Sequence, residues 1–207
     1  MEFWKRIGSP KYICAPMVNQ SWLPFRRFVH QQGVQLSYTP MVHAKLLLTD
    51  EKYLQQLISD LSDSPRPVIV QMASNKPSEF AAAVHLVKDL CDAVDLNLGC
   101  PQHIAKSGHY GAYLMKTETD IKLIEDILKA GAIEHNITAK IRVYESIEET
   151  VSYAQRIEAA GVSALAVHGR TIEQKKDKTG LASWEHIKAV KNSISLPVIA
   201  NGNIRNE

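Results

Sequence analysis

The amino-acid sequence predicts an α/β protein of the TIM-type (β/α)8 barrel class, on three observations. Short β-rich runs alternate with segments of helical spacing, several runs are apolar on both faces, and polar residues gather at their C-terminal ends. Strands that alternate with helices imply parallel pairing, because a parallel connection needs a crossover and a helix supplies it. Runs such as Val68-Ile69-Val70 and Leu165-Ala166-Val167 suit strands covered on both sides. Gln71, Asn97, Lys140, Arg142, His168, Arg170 and Asn201 fall within or just after the C-terminal half of a run. In a barrel those positions converge on the mouth that carries the active site. No Gly-x-Gly-x-x-Gly follows the first run, which lowers the competing reading, a doubly wound dinucleotide-binding sheet.

Seven strands are predicted in order: Tyr12 to Val18, Gln35 to Met41, Pro67 to Met72, Ala93 to Leu98, Ile137 to Val143, Ala164 to His168 and Pro197 to Ala200. Helical spacing covers Asp50 to Leu61, Glu79 to Leu90, Glu118 to Ala130, Ile147 to Ala160 and Trp184 to Asn192, and Ser62 to Arg66 reads as a turn. Pro77 suits a first helical turn, Ser146 with Glu149 reads as a capping box, and Gly131 and Gly161 stand where helices should stop. Seven strands do not close an eight-stranded barrel, and 207 residues fall short of the roughly 250 typical of the fold. The expectation is one domain over residues 1–207, truncated after its seventh strand, with no linker or repeat to mark a second.

Composition sets bounds. An apolar content of 45% allows a sizeable core, and 24 Lys plus Arg against 22 Asp plus Glu gives a net charge of +2 that does not by itself argue for nucleic acid. The start Met-Glu-Phe-Trp-Lys-Arg has no apolar signal region, and no apolar run approaches the roughly 18 residues needed to cross a bilayer. A soluble, intracellular protein, cytoplasmic or nuclear, is expected, with no membrane partner. Cys14, Cys91 and Cys100 are odd in number and lack metal-ligand spacing, so neither a disulfide framework nor a metal site is expected.

The most informative stretch is Asp95-Leu96-Asn97-Leu98-Gly99-Cys100-Pro101-Gln102, where a strand ends in Asn and a Gly-Cys-Pro turn follows. Gly99 permits a sharp turn and Pro101 fixes its own φ, so Cys100 should sit on a stiff loop at the mouth. Most cysteines are buried small hydrophobes, and Cys91 in a helical run and Cys14 in the first strand read that way. For Cys100 a packed thiol and a reactive one remain open. Lys140, in an apolar strand, is hard to explain structurally, since lysine is almost never fully buried without a partner. His168 reads equally as a hydrogen-bonded core histidine, and Gln71 and Asn201 as caps of strand ends.

At this stretch the sequence resembles the tRNA-dihydrouridine synthases, FMN-dependent enzymes whose hallmark is a strand ending in Asn followed by Gly-Cys-Pro. Ala15-Pro16-Met17-Val18, Ser37-Tyr38-Thr39-Pro40-Met41, Val70-Gln71, Thr138-Ala139-Lys140-Ile141-Arg142, Val167-His168-Gly169-Arg170-Thr171 and Ile199-Ala200-Asn201-Gly202-Asn203-Ile204 look like other strands of that family, in order. The run Ala105 to Ala112 and Gly180-Leu181-Ala182-Ser183-Trp184 look most like the eukaryotic subclass acting at positions 16 and 17 of the tRNA D-loop. The resemblance implies reduction of uridine to 5,6-dihydrouridine, with electrons passing from NADPH or NADH through FMN. Cys100 would give the proton to C5 while a hydride reaches C6. The backbone of Pro16, Met17 and Val18 would support the flavin ring, Gln71 would bond its pyrimidine edge, and Lys140 would place positive charge beside it. His168 would lie by the flavin or its phosphate tail, with Asn201, Gly202 and Asn203 at the phosphate end. Asn97 and Arg170 would hold a flipped-out uracil of the tRNA partner.

The run Gln174 to Lys178 would overhang the mouth, either beside tRNA phosphates or as a solvated loop, and His103, Lys106 and His109 read as a lid that contacts RNA. The family continues past the position of Asn203 with a further strand, a Gly-Arg segment and a helical tRNA-binding domain, so weak FMN binding is expected here. Two other readings compete: a truncated, non-catalytic barrel that keeps RNA or partner binding, and a flavin-free lyase using Lys140 as a Schiff-base amine, which leaves Cys100 without a role. The sequence leaves the oligomeric state open.

Overall fold

In the computed structural model of the protein, which describes residues 2–175 and 178–204, the strands form one parallel sheet in the order β1 (Ile13–Cys14), β2 (Leu36–Tyr38), β4 (Val68–Ala73), β5 (Ala93–Leu98), β6 (Ile137–Arg142), β7 (Ala164–His168), β8 (Val198–Asn201). All seven predicted strands are present. The eighth, β3 (Val42–His43), lies off this path and pairs only with the end of β4, at Met72 and Ala73. It is not a closing strand. It arises because the second predicted strand is cut: Pro40 has no N–H for the ladder, so β2 ends at Tyr38 and pairing resumes two residues after the proline. Pro16 cuts β1 in the same way. The arc is a TIM-like (β/α) architecture, and among the described residues β1 and β8 are not hydrogen-bonded to each other. A cavity of about 980 Å³, lined by Tyr12, Ile13, Val198, Ala200 and Ile204 among others, lies between those two strands.

Alternation along the strands gives the sheet two kinds of face. Val68, Val70, Met72, Val94, Leu96, Leu98, Ile137, Ala139, Ile141, Leu165 and Val167 pack in one apolar cluster with the helices. Between them Tyr38, Ile69 and Ala93 face inward, where Phe3 of α1 (Glu2–Arg6) packs on them and floors the barrel.

The main helices are α4 (Glu51–Ser62), α5 (Pro77–Val87), α7 (Glu118–Glu134), α8 (Ile147–Ala159) and α9 (Trp184–Ser193). Their N-termini follow local chemistry: Asp50, Thr117, Ser146 and Ser183 each accept a backbone N–H three residues on, and α5 opens on Pro77. Two expectations change. The capping box at Ser146 is only half formed, because Ser146 Oγ donates to Glu148 at 2.7 Å and Glu149 does not reach back. Gly131 does not stop α7, which runs on to Glu134: a Cβ at Gly131 would lie 2.5 Å from the Phe80 ring, so the glycine lets α5 and α7 approach. Gly161, at φ +93°, does end α8.

The short helices α1, α2 (Leu23–Gln31), α3 (Ala44–Thr49) and α6 (His103–Ser107) were outside the sequence expectation. In α2 the Trp22 side chain makes no cap; Asp60 of α4 accepts the Leu23 N–H at 2.7 Å and pairs with buried Arg26 at 2.8 Å. The cap comes from a residue 37 positions away and leaves no local signal. Among the described residues no helix is long and apolar enough to cross a membrane.

Candidate active site

The inward residues turn polar toward the C-terminal ends of the strands. On β5 Asp95 and Asn97 share one face, and on β6 Thr138, Lys140 and Arg142 do, with strand register pairing Gln71 to Asp95, Asp95 to Thr138, Asn97 to Lys140 and Arg142 to His168. These side chains meet at one end of the sheet, as the polar strand ends predict.

The Cys100 loop is held from both sides. Asn97 Oδ1 accepts the N–H of Gly99 at 3.1 Å and of Cys100 at 3.0 Å. Arg142 Nε donates to the Gly99 carbonyl at 2.8 Å, and its Nη1 donates to Thr171 O at 2.7 Å and Gln174 O at 3.2 Å. The Cys100 carbonyl accepts the Ala112 N–H. Gly111, at φ +64°, is the close neighbour this requires, since a Cβ there would come within 3.0 Å of both Cys100 Cβ and its carbonyl oxygen. The loop is stiff, as expected, but Cys100 is half-buried against Ala73, Ala105 and Tyr110 rather than simply exposed. Cys91 is buried, and burial pushes its thiol up to about 12; Cys14 is half-buried with its thiol also pushed up.

Below the loop lies a buried polar network centred on Asp95, a residue to which the sequence motifs assign no role. Asp95, wholly buried, accepts from Gln71 Nε2 at 2.8 Å and Thr138 Oγ1 at 2.7 Å. Burial pushes its carboxyl up to about 6, against the pull of those two hydrogen bonds and of the Lys140 charge. Gln71 Oε1 in turn accepts from Asn97 Nδ2 at 2.9 Å, and Asn97 Nδ2 also reaches Met41 Sδ at 3.2 Å. Gln71 therefore has both polar ends engaged within the protein, and is 2% exposed. Asn97, expected at the uracil, is engaged in holding the Cys100 loop. The signal for Asp95 was present: residues 95 and 97 are two apart on a strand flanked by Val94, Leu96 and Leu98, so an acid and an amide share the inner face.

The Lys140 ammonium makes no hydrogen bond or close ion pair among the described residues. Burial pushes it down to about 8, opposed by the negative charge of Asp95. With Pro16, Tyr38, Ala166 and Asn201 it lines a narrow cavity of about 20 Å³. Pro16, Met17 and Val18 lead away from β1 at the same end; the Met17 N–H and carbonyl are both bonded to Ser21, while Val18 is exposed.

A second cluster lies at the ends of β7 and β8. Arg170 Nη1 lies 3.0 Å from His168 Nε2, and Nη2 donates to Asn203 Oδ1 at 2.7 Å and to the Gly180 carbonyl at 3.0 Å. A guanidinium only donates, so His168 Nε2 is the acceptor. Burial, reinforced by Lys140, Arg142 and Arg170, pushes His168 down to about 3, and it is neutral. Asn203, at φ +56°, also accepts the Ala182 N–H at 2.8 Å, and the Asn201 carbonyl accepts the Gly169 N–H. Gly202, at φ +106°, passes so close to His168 that a Cβ would lie 3.0 Å from its ring. Arg170 thus groups with His168 and Asn203.

These side chains rim a mouth of about 910 Å³ lined by Pro101, His103, Lys106, Arg142, His168, Arg170 and Lys175 among others. Lys175 Nζ donates to the Pro101 carbonyl at 3.2 Å, which ties the β7 loop to the Cys100 loop. Of the remaining run, Lys176 and Asp177 lie outside the described residues. His103 and Lys106 line the mouth, whereas His109 pairs with Asp120 of α7 at 2.8 Å and is not part of it. The residues fit an anionic, acceptor-rich planar group such as FMN in their chemistry: a cation without a close partner at the inner end, four more cationic side chains at the rim, and a volume within the range of ligand sites.

The model of the dihydrouridine synthase family matches residues 13–207. Over 206 residues, 99% of this chain and 43% of the relative, the sequence is 48% identical to a mouse (Mus musculus) protein named tRNA-dihydrouridine(16/17) synthase NAD(P)(+)-like. It is 46% identical to the tRNA-dihydrouridine(16/17) synthase of Saccharomyces cerevisiae, over 98% of this chain and 49% of that protein. The chain spans about half the length of these curated relatives. The backbone also resembles a truncated 3-deoxy-D-arabino-heptulosonate 7-phosphate synthase from Thermotoga maritima, with a TM-score of 0.57 over 91% of this chain and 63% of that one, at 15% identity, a likeness of fold alone. With the family model matched across nearly all of its length, the chain belongs to the dihydrouridine synthase family.

Proposed function

We propose that this chain is the flavin-binding catalytic domain of a tRNA-dihydrouridine synthase acting at positions 16 and 17, which reduces uridine to 5,6-dihydrouridine with electrons from NADPH or NADH. The observation that carries the reading is the Cys100 loop, clamped by Asn97 and Arg142 at the rim of a cationic mouth. Reduced FMN, when bound, supplies the hydride that uracil C6 receives.

The protein's own residues supply the rest. Cys100 Sγ gives its proton to C5, which completes saturation of the 5,6 double bond and leaves a thiolate that solvent reprotonates. Lys140 sets a fixed positive charge against the pyrimidine edge of the flavin, and a preorganised charge in a site shielded from water acts strongly there. Pro16, Met17 and Val18 flank the ring, and Gln71 turns the N–H and lone pair left over from its internal bonds to the pyrimidine edge. Neutral His168, Asn201, Gly202 and Asn203 serve the phosphate end, and Arg170, tied to His168 and Asn203, belongs with them as well as with the uracil. His103, Lys106 and Lys175 meet tRNA phosphates at the rim.

The first experiment is the visible absorbance spectrum of the purified chain, alone and with added FMN, followed by assay of dihydrouridine in tRNA with NADPH. Flavin bands and uridine reduction support the reading. A second reading, a domain that binds RNA without catalysis, is favoured by the narrowness of the cavity beside Lys140, about 20 Å³. No flavin under either condition, with retained tRNA binding, would decide for it.

A further inference from the structure

Asp95 is the one member of the inner network whose hydrogen-bonding sense is fixed by charge. A donor meets each of its two oxygens, and the Lys140 charge favours the carboxylate against burial, so Asp95 is the acceptor at both contacts. It takes one proton from Thr138 Oγ1 and one from Gln71 Nε2. That contact fixes the Gln71 amide with its oxygen turned to Asn97, whose Nδ2 donates to it at 2.9 Å. Asn97 is then left with its oxygen toward the loop, where the backbone N–H groups of Gly99 and Cys100, which can only donate, meet it at 3.1 and 3.0 Å.

We propose that Asp95 is a positioning residue: it sets the direction of the Gln71 and Asn97 amides and through them holds the backbone that carries Cys100. The chain of bonds has an acceptor-only group at one end and donor-only groups at the other, so only one orientation of the two amides satisfies every contact. Reversing either amide brings donor against donor at one junction and acceptor against acceptor at the next. Asp95 and Lys140 influence each other electrostatically but form no ion pair within 4.0 Å among the described residues, so service as a close counter-ion does not account for the buried acid. The relevance to uridine reduction rests on the proposed function; the hold on the loop does not.

The test is amide hydrogen exchange at Gly99 and Cys100, measured by NMR on the full chain without added flavin. In Asp95→Leu, Gln71 loses its fixed acceptor, and protection at both amides is expected to fall about tenfold, the loss of roughly one hydrogen bond, with the β5 and β6 ladder amides of Val94 and Ile141 within about twofold of wild type. The double variant Gln71→Glu with Asp95→Asn reverses the first bond and keeps every partner satisfied: Asn at 95 donates to Glu at 71 and accepts from Thr138, while Asn97 still donates to Glu at 71. Its Gly99 and Cys100 protection is expected within about twofold of wild type.

Unchanged protection in Asp95→Leu, or loss of protection in the double variant, overturns the proposal. Should Asp95→Leu not fold, the double variant alone decides by the same criterion. If the function is as proposed, Asp95→Leu also lowers kcat with little change in KM for tRNA. Absence of uridine reduction in the wild type would count against the function and leave the exchange result standing.

Discussion

Arg142 Nε donates to the carbonyl oxygen of Gly99 at 2.8 Å, one residue before Cys100, while its Nη1 holds the Thr171 and Gln174 carbonyls of the loop after β7. One guanidinium thereby sets the spacing between the thiol loop and the cationic rim. Lysine cannot reproduce a fork of three bonds. Arg142→Lys is expected to lower kcat for uridine reduction about tenfold or more, since bonds to a charged donor contribute about 1.5–3 kcal/mol each, with far-ultraviolet circular dichroism unchanged. A variant as active as wild type would show that the spacing does not matter.

Cys100→Ala removes the proposed acid and nothing from the flavin site. Reduction of bound FMN by NADPH should proceed at the wild-type rate, and uridine reduction should fall by about 10²–10⁴, the usual range for loss of a general acid. Stopped-flow absorbance separates the two half-reactions. Equal loss in both would remove Cys100 from the proton-transfer role.

Lys140 is a cation below about pH 8 and neutral above it. If its charge holds the flavin, FMN affinity read by fluorescence titration should weaken as pH rises through about 8, and Lys140→Met should show weak binding with no such dependence. A wild-type affinity that is flat across that pH range would argue against a charged lysine at the ring.

His168, pushed down to about 3, is neutral in the folded protein and takes up a proton near its ordinary value only when unfolded. A depressed folded value means that the unfolded chain binds more protons between about 6.5 and about 3. Its contribution to stability is therefore present above about 6.5 and is lost as pH falls toward 3. Urea unfolding of His168→Asn at a series of pH values should show a shallower decline than wild type over that window. Identical slopes would mean that the ring is not held neutral.

Gly131→Ala tests the α5–α7 contact. Helix propensity alone favours alanine by about 1 kcal/mol. The added Cβ would lie 2.5 Å from the Phe80 ring, and overpacking typically costs about 1–3 kcal/mol. The variant should lose stability on balance, seen as a lower Tm; a higher one would mean that the ring moves aside without strain.

The sequence made the barrel legible because its signals are local. Strand alternation, Pro77 in a first turn and the Ser146 cap all lie within a few residues of what they determine. What it hid depends on distant residues. The start of α2 is capped from Asp60, and Gly131 reads as a stop until Phe80 is placed beside it. The site divides in the same way. Gly99-Cys100-Pro101 announces a stiff loop from its own backbone chemistry, whereas Asp95 acquires its meaning from Gln71 and Thr138 on neighbouring strands. Nothing in the linear order announces that Arg170 bonds to His168 and to Asn203, 33 residues on.

Phe3 seals the floor of the barrel against Leu36, Tyr38, Ile69 and Ala93, while the cationic side chains of the mouth stand at the other end. Depth along the barrel axis therefore sorts inherited change. A variant at the floor is expected to change stability; one at the rim, if the proposed function holds, to change which substrates are accepted. A lineage can rework its substrate repertoire at the rim while the floor keeps each intermediate form viable.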